Sequence, residues 1–446
     1  MFAVFALGGM HAPISGDVWS AELGAWQLAT TGEPWIDDVT PEQLPDQWTV
    51  ESSDSGALWT AVNLDNGHRA VARSPGVVLV AVPAYAIDTT VSGPDQLRDL
   101  PGSLTAALLA AIAVTLLAAA ASTLVPLRVA LMGALALGLT TPMWSVAGND
   151  LWPHSVTTLG LAGMAWAAAR ERWWLVGLFG GLGICGRLHL AVIVAVVGLC
   201  VALARRRPAI AVQVACTSLP FVGLCSVLGH WWYGSWSPSA GYMAGDLAAW
   251  PATRTWVEQA ADVAGMFVSP GYGILIWTPC LLLMAPSVPA AWREAPDWIR
   301  SLAAGGLCYL IIQALLNPFH GGSGFWGYRL PLEALCAAFP LLVLTAGHMG
   351  RRARAAFLPI IGFQLAVMVI GVMFGRAHTN TDGSPWRSNI VLDALFENPP
   401  AFLTIVALSG LAVWFVGRTV LGRPPGSARA ADLRPAQRNG AEESAS

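Results

Sequence analysis

The chain has 446 residues, of which 55% are hydrophobic and only 11% are charged, and its mean hydropathy is +0.56. A water-soluble domain needs more charge than this to cover its surface, so the composition excludes soluble folds and predicts a polytopic membrane protein. A backbone in lipid must satisfy its own hydrogen bonds, so the fold class should be all-α. The formal net charge of −3 is uninformative about mechanism, and we expect no nucleic-acid partner.

Apolar runs close to the length of about twenty residues that crosses a bilayer recur along most of the sequence. The N-terminal run "MFAVFALGGMHAPI" is shorter, and we interpret it as the end of a helix that starts upstream or as a helix that begins shallow in the membrane. We expect a multi-spanning bundle of about 11–13 helices. The eleven predicted spans lie near 103–122, 127–146, 155–169, 173–186, 188–204, 209–232, 267–290, 301–318, 331–348, 356–375 and 401–418.

Arginine placement orients these helices, because positive charge is retained on the cytoplasmic side of short loops. Placing the arginine-rich turns and the C-terminal segment in the cytoplasm puts 16 of the 24 arginines inside. This orientation predicts a transmembrane domain over 1–418 and a disordered cytoplasmic tail of low hydrophobicity over 419–446. It also places three polar segments on the outer side of the membrane, at 15–102, 233–266 and 376–400.

The first outer segment is long and acidic, with ten carboxylates against two arginines between Asp17 and Arg73. Its apolar run 74–87 has only fourteen residues, which favours an interfacial or re-entrant helix over a span. Asp37 and Asp38 are adjacent acids of the kind that binds a divalent cation. In an acidic loop such a pair is usually only solvated, so we assign no metal and no cofactor, although a divalent cation stays open.

Charge at the membrane edge is costly, and each instance is a candidate functional residue. Asp17 lies just beyond the predicted membrane edge in "SGDVWSAELGAW", and Glu22 follows five residues later. A carboxylate in a partly desolvated place is suited to accept a proton from an attacking hydroxyl, because burial raises its basicity. The alternative is that Asp17 only caps the helix that follows, by accepting hydrogen bonds from free backbone N–H groups.

Three arginines lie at the ends of apolar runs, on the same predicted side of the membrane: Arg73, Arg187 and Arg329. An arginine in such a place must pair, snorkel or bind an anion, and its planar guanidinium fits a phosphate with two hydrogen bonds. Arg329 ends the stretch "HGGSGFWGYRL", whose glycines allow a tight turn. Its alternative role is a topology anchor, but arginine is disfavoured on the outer side, so an anionic partner explains it better.

Two histidines lie close to these arginines in the sequence. His154 is in "NDLWPHS", and His320 begins the glycine-rich stretch. Both are candidate substrate contacts, together with Glu22, although a hydrogen-bonded structural histidine is the more common outcome. The seven cysteines all lie in or beside apolar runs, which favours small buried hydrophobic residues over disulfides or metal ligands.

Several stretches, taken in order, resemble the multi-spanning glycosyltransferases of the C type, which use polyprenyl-phosphate-linked sugars. The resemblance covers roughly residues 10–420, and its last three stretches are similar to bacterial and actinobacterial members that transfer arabinofuranose or mannose to cell-envelope glycans or proteins. It is carried by "SGDVWSAELGAWQLATTGEPW", "ARSPGVVLVAVPAY", "TPMWSVAGNDLWPHS", "GLFGGLGICGRLHL", "YGSWSPSAGY", "FVSPGYGILIWTPCLLL" and "GGSGFWGYRLPLEALCAAFPLL".

The resemblance implies a role for each candidate charge. Asp17 matches the loop aspartate that acts as a base or positions the acceptor hydroxyl, and Arg73, Arg187 and Arg329 match positions that hold the donor phosphate. The implied reaction is an inverting transfer from a polyprenyl-phospho-sugar to a glycan, lipid-glycan or protein at the outer face of the cytoplasmic membrane. No nucleotide is needed, because the lipid phosphate is itself the leaving group.

Two other functions stay open from the sequence. A transporter or lipid flippase would also place arginines along a phosphate pathway, although the sequence shows no internal repeat of the kind that transporters usually have. A catalytically silent partner of a larger envelope synthase would keep the helices without needing Asp17.

Overall fold

The computed structural model describes residues 1–11, 15–45, 61–64, 66–241, 254–379 and 384–421. The α-helices in these ranges, numbered α1 to α18 in chain order, are Phe2–Gly9, Gly16–Thr31, Pro75–Ser92, Leu100–Ala121, Leu127–Thr140, Pro153–Ala168, Trp173–Gly186, Ala191–Arg205, Pro208–Tyr233, Trp256–Val268, Ile274–Trp277, Cys280–Met284, Val288–Glu294, Asp297–Leu316, Leu332–His348, Arg351–Met373, Ile390–Glu397 and Pro399–Leu421. The other elements are the 3-10 turns Pro41–Gln43, Leu188–Leu190 and Ala285–Ser287, the π-helical turn Met143–Ala147, and an antiparallel pair of strands, β1 (Ala61–Asn63) and β2 (Arg69–Val71).

The predicted all-α, multi-spanning fold is confirmed. Seven helical segments among the described residues are long and apolar enough to cross a membrane: α3, α4, the segment 188–205 that contains α8, α9, α14, α16 and α18. Three shorter apolar helices, α5, α7 and α15, pack beside them. Large apolar side chains such as Leu108, Leu203 and Leu411 are exposed on these helices, as expected of surfaces that face lipid.

The predicted span 267–290 is wrong, because no continuous helix covers it. The chain forms the short helices α11, α12 and α13, the last two joined by a 3-10 turn. Proline explains the breaks, since it lacks an N–H donor and its ring clashes with the preceding turn. Pro279 precedes α12, Pro286 lies in the 3-10 turn and Pro289 lies in the first turn of α13.

The first outer segment contains more structure than a loop. Helix α2 is buried over much of its length, from Val18 to Gln27, and it packs against α3. Helix α3 extends to Ser92, past the predicted end at residue 87, and its length and hydropathy also suit a span. The interfacial placement of the run 74–87 therefore stays a prediction.

The other predicted boundaries are only partly covered by the structure. The outer segments 233–266 and 376–400 contain the start of α10 and all of α17, while their residues 242–253 and 380–383 lie outside the described residues. Helix α18 continues to Leu421, past the predicted domain boundary. The remainder of the predicted tail lies outside the described residues.

Trp326 joins the glycine-rich stretch to the helix bundle. Its indole N–H donates to the backbone oxygen of Val367 on α16 at 2.9 Å. Its ring also covers Gly371 of the same helix and leaves no room for a Cβ there. The position of this loop therefore depends on a glycine in a neighbouring helix.

We expect Gly371→Ala to destabilise the protein by about 1–3 kcal/mol, because the added methyl group must displace Trp326. Thermal unfolding of the detergent-solubilised protein measures this loss. The matched control is Gly223→Ala on α9, where nothing lies within 4 Å of the added Cβ; it should be neutral or slightly stabilising. Equal unfolding temperatures for the two variants would contradict the packing described for Trp326.

Candidate functional site

Asp17 lies in the first turn of α2, and the N-cap of that helix is Ser15. The alternative that Asp17 itself caps the helix is therefore wrong, although a carboxylate in the first turn still complements the positive end of the helix dipole. Its side chain is 30% exposed and forms ion pairs with both Arg73 and Arg329. The carboxylate thus connects two segments that are far apart in the sequence.

Arg73 is buried in the turn between β2 and α3. Its Nη2 donates to Asp17 Oδ1 at 2.7 Å and to the backbone oxygen of Gly16 at 2.9 Å, and its Nε donates to the backbone oxygen of Asp17 at 2.9 Å. The Tyr233 hydroxyl lies 2.7 Å from the backbone oxygen of Val71 and 2.9 Å from that of Arg73, so its single hydrogen is shared between these two acceptors. Arg73 therefore anchors the start of α2 and also places a positive charge beside the carboxylate of Asp17.

Arg329 reaches Asp17 from the glycine-rich loop between α14 and α15. Positive φ angles, which favour glycine, shape this loop, and Gly324 lies against Ser15 so closely that a Cβ would meet the serine Cβ at 2.7 Å. The loop therefore rests on the N-cap of α2. Four of its glycines have φ between 67° and 98°: Gly321, Gly322, Gly324 and Gly327.

The guanidinium of Arg329 packs on two aromatic rings. It lies 5.1 Å from the ring centroid of Trp152 and 5.6 Å from that of Phe325, which are cation–π distances. Its Nη1 donates to Asp17, whereas its buried Nε has no acceptor among the described residues. An oxygen of a bound anion would satisfy this donor.

Arg187 follows α7 as its C-cap and has an extended backbone conformation. Its Nη1 lies 3.6 Å from Glu333 Oε1 and 3.5 Å from His154 Nε2, and its Nη2 donates to Gln313 Oε1 at 3.3 Å. Glu333 also accepts hydrogen bonds from His154 Nδ1 at 2.7 Å and from Thr157 Oγ1 at 2.8 Å. Sequence reasoning missed Glu333, because a glutamate at the start of an apolar run looks like an ordinary membrane-edge residue.

Asp17 and the three arginines belong to one electrostatic region. Burial raises the pKa of the Asp17 carboxyl, but the charges of Arg329 and Arg73 lower it well below its ordinary value. Arg187 acts on Asp17 in the same direction, to a smaller extent. The ring of Trp152 packs against the guanidinium of Arg329 and against the ring of the histidine that contacts Arg187. The structure therefore joins Asp17, Arg73 and Arg329 by direct contacts, while Arg187 acts on Asp17 from the neighbouring network of Glu333 and His154.

The two candidate histidines have different surroundings. His154 is buried inside the network that surrounds Arg187. His320 lies at the start of the glycine-rich loop, where its Nδ1 accepts the backbone N–H of Gly322 at 3.1 Å. Burial lowers the pKa of His320, and the charge of Arg329 lowers it further. A direct substrate contact for either histidine stays a prediction.

Glu22 does not join this cluster. It is fully buried, and its carboxyl group lies against Gly102 of α4 and leaves no room for a Cβ there. Burial raises the pKa of Glu22, and the neighbouring Asp150 raises it further; burial raises the pKa of Asp150 as well. Both oxygens of the Glu22 carboxyl group are buried, so substrate binding by Glu22 would require access to a closed part of the protein and stays a prediction.

Asp37 is held by its own neighbours. Its Oδ2 lies 2.5 Å from His68 Nδ1, and its Oδ1 accepts the backbone N–H of Arg69 at 2.6 Å. Asp38 is exposed beside it. In the described part of the chain, no group of three or more His, Cys, Asp or Glu side chains could hold a metal ion.

Two solved structures are similar to this chain over most of its length. Both are of ArnT from Cupriavidus metallidurans, at 14% identity, and the likeness covers 95% of this chain and 76% of that chain. The TM-score is 0.48 for the crystal structure bound to undecaprenyl phosphate and 0.46 for the apo state. No protein-family model and no curated protein match the chain. The function must therefore be inferred from the geometry of the site.

Proposed function

We propose that this protein is a membrane glycosyltransferase that moves a sugar from a polyprenyl-phospho-sugar to an acceptor hydroxyl. The observation that carries the proposal is the bridge that Asp17 forms between Arg73 and Arg329. Arg187 adds its charge to the same region. A carboxylate in contact with two guanidinium groups, with the charge of a third acting on it, supplies both a proton acceptor and a phosphate site.

The charge of the region favours a lipid-linked phosphate. Three guanidinium groups face the carboxylates of Asp17 and Glu333, so one positive charge is left over. A phosphodiester donor carries a single negative charge, and the polyprenyl phosphate that leaves it gains a second one. The arginines would therefore stabilise the charge that develops on the leaving phosphate, which is commonly the largest contribution to such catalysis.

The reaction balances with the groups that the site provides. The acceptor oxygen attacks the anomeric carbon, the bond from that carbon to the phosphate oxygen breaks, and polyprenyl phosphate leaves with the electron pair. The proton of the acceptor hydroxyl passes to Asp17. Attack from the face opposite to the phosphate inverts the configuration of the sugar.

Donor binding and proton transfer would be linked at Asp17. Each oxygen of its carboxylate is engaged by an arginine, which makes it a weak base. A phosphate that draws Arg329 away removes one of the charges that lower the pKa of Asp17, so the carboxylate becomes a better proton acceptor. The acceptor would therefore be activated only after the donor has bound.

The position of Arg187 supports a site on the outer face. Arg187 and Arg205 lie at opposite ends of the helical segment 188–205. The turn that starts at Arg205 has three consecutive arginines and belongs in the cytoplasm by the positive-inside rule. The cluster would then face the outside of the cytoplasmic membrane, where the acceptor is a cell-envelope glycan, lipid-glycan or protein.

The sugar we propose, from the sequence resemblance, is arabinofuranose or mannose. Incubating the purified protein in liposomes with polyprenyl-phospho-arabinose and polyprenyl-phospho-mannose in parallel, with an envelope-glycan acceptor, tests this choice. We expect one donor to be consumed and its sugar to appear on the acceptor. Consumption of neither donor, by protein that remains folded, would contradict the proposal.

A further inference from the structure

We infer that Glu333 is a positioning residue, which fixes the guanidinium of Arg187 in the orientation that binds the donor phosphate. This inference rests on the proposed function, because it gives Arg187 a phosphate to bind. It adds a residue that does not itself reach the substrate. Glu333 lies in the first turn of α15, and the seven helices α8 to α14 separate it in sequence from the arginine it would hold.

Glu333 is buried between α6 and Arg187 and needs partners for its charge. Its side chain is fully buried, and the Oε1 atom accepts hydrogen bonds from His154 and Thr157, both on α6. A buried carboxylate is costly unless an opposite charge and hydrogen bonds compensate for it. Arg187 supplies that charge at 3.6 Å. The same ion pair therefore restricts where the guanidinium of Arg187 can point.

A second contact fixes Arg187 from the other side. Gln313 on α14 is fully buried, and its Oε1 accepts from Arg187 Nη2 at 3.3 Å. Asn317 Nδ2 donates to the same oxygen at 3.0 Å, so the amide of Gln313 keeps its oxygen towards the arginine. Arg187 itself follows the last turn of α7, outside the helix. Its orientation therefore depends on side chains from two other helices.

A purely structural role explains Glu333 less well. Such a role would only join α6 to α15, and neutral side chains could do this at lower cost. The second carboxylate oxygen, Oε2, is buried without a hydrogen-bond donor among the described residues. A buried carboxylate with one oxygen lacking a hydrogen bond lowers the stability of the folded protein. The presence of this carboxylate beside Arg187 is better explained by preorganisation of a charged binding group.

The test is a double-mutant cycle of Glu333→Gln and Arg187→Gln in liposomes, with KM for the polyprenyl-phospho-sugar and kcat measured separately. We expect each single variant to raise KM for the donor about tenfold, the equivalent of one charge-assisted hydrogen bond. The double variant should have the same KM for the donor as Arg187→Gln alone, because Glu333 acts through Arg187.

The structural control is Gln364→Leu, which removes a buried side chain that binds Cys280 N and Thr140 O. This variant should lower the unfolding temperature without raising KM for the donor.

The outcomes separate the inference from the proposed function. If Arg187→Gln leaves KM unchanged, the phosphate role of Arg187 in the proposed function fails, and the inference about Glu333 fails with it. If Arg187→Gln raises KM but Glu333→Gln does not, or the two effects multiply in the double variant, only the inference is overturned. A lower KM for Glu333→Gln would mean that this carboxylate competes with the donor phosphate and does not position the arginine, which also overturns it.

Discussion

Asp17→Asn should lower the rate of sugar transfer by about 10²–10⁴-fold, with a much smaller effect on KM for the donor. The amide keeps the size of the side chain but cannot take the proton of the acceptor hydroxyl. It also releases Arg73 and Arg329 from their ion pairs with the carboxylate, so a bound phosphate should be held at least as well as before. Initial rates in liposomes with a labelled polyprenyl-phospho-sugar measure the effect.

Asp38→Asn is the matched control for this variant. Asp38 is an exposed carboxylate in the same acidic segment, so it tests whether the general loss of one negative charge matters. We expect its transfer rate to equal that of the wild type. Full transfer by Asp17→Asn would exclude Asp17 as the base, even if the protein proves to be a glycosyltransferase.

Arg329→Gln should lower kcat/KM for the donor by about 10²-fold, because it removes a charge that stabilises the leaving phosphate. Arg329→Lys should recover only part of this loss, since a lysine ammonium keeps the charge but cannot offer a phosphate two N–H groups in one plane. The cation–π contacts to Trp152 and Phe325 would also weaken. Steady-state kinetics with purified protein in liposomes checks both variants.

Arg376→Gln controls for the loss of a positive charge elsewhere. Arg376 pairs with Glu397, and no role in the reaction is proposed for it, so its kcat/KM should match the wild type. Unfolding temperatures should be recorded for all three arginine variants, so that a loss of fold is recognised. Wild-type kinetics for a folded Arg329→Gln would contradict the assignment of Arg329 to the phosphate.

The spanning helices were largely predictable, because an apolar run of sufficient length has few alternatives to a helix in lipid. The predicted segment 173–186 agrees with helix α7 at both ends. The predicted span 267–290 is wrong because apolar content alone does not show whether the backbone can form a continuous helix. Prolines such as Pro279 and Pro286 decide that question locally.

The charged residues of the site were predictable one by one, but their pairing was not. Asp17 and Arg329 are separated by 312 positions, and only the packing of the glycine-rich loop on the start of α2 brings them together. Glu22 shows the opposite error. It follows Asp17 by only five residues in the sequence, but in helix α2 five residues turn a side chain by roughly 140° away from Asp17.

Buried networks were the least predictable part of the site. Glu333 and His154 each occur at the start of an apolar run, where a polar residue is unremarkable. Their contact depends on how α6 and α15 pack, which no local pattern encodes. Such residues become visible only when burial is known, because a buried charge requires a partner.

In the proposed reaction, the bond between the sugar and the lipid phosphate breaks at this site. A donor with ¹⁴C in its sugar and ³²P in its phosphate, supplied to the purified protein in liposomes with an acceptor glycan, tests it directly. We predict that the ¹⁴C label moves to the acceptor while the ³²P label remains in the lipid as polyprenyl phosphate. Joint movement of both labels across the bilayer would instead show a flippase and would contradict the proposed transfer reaction.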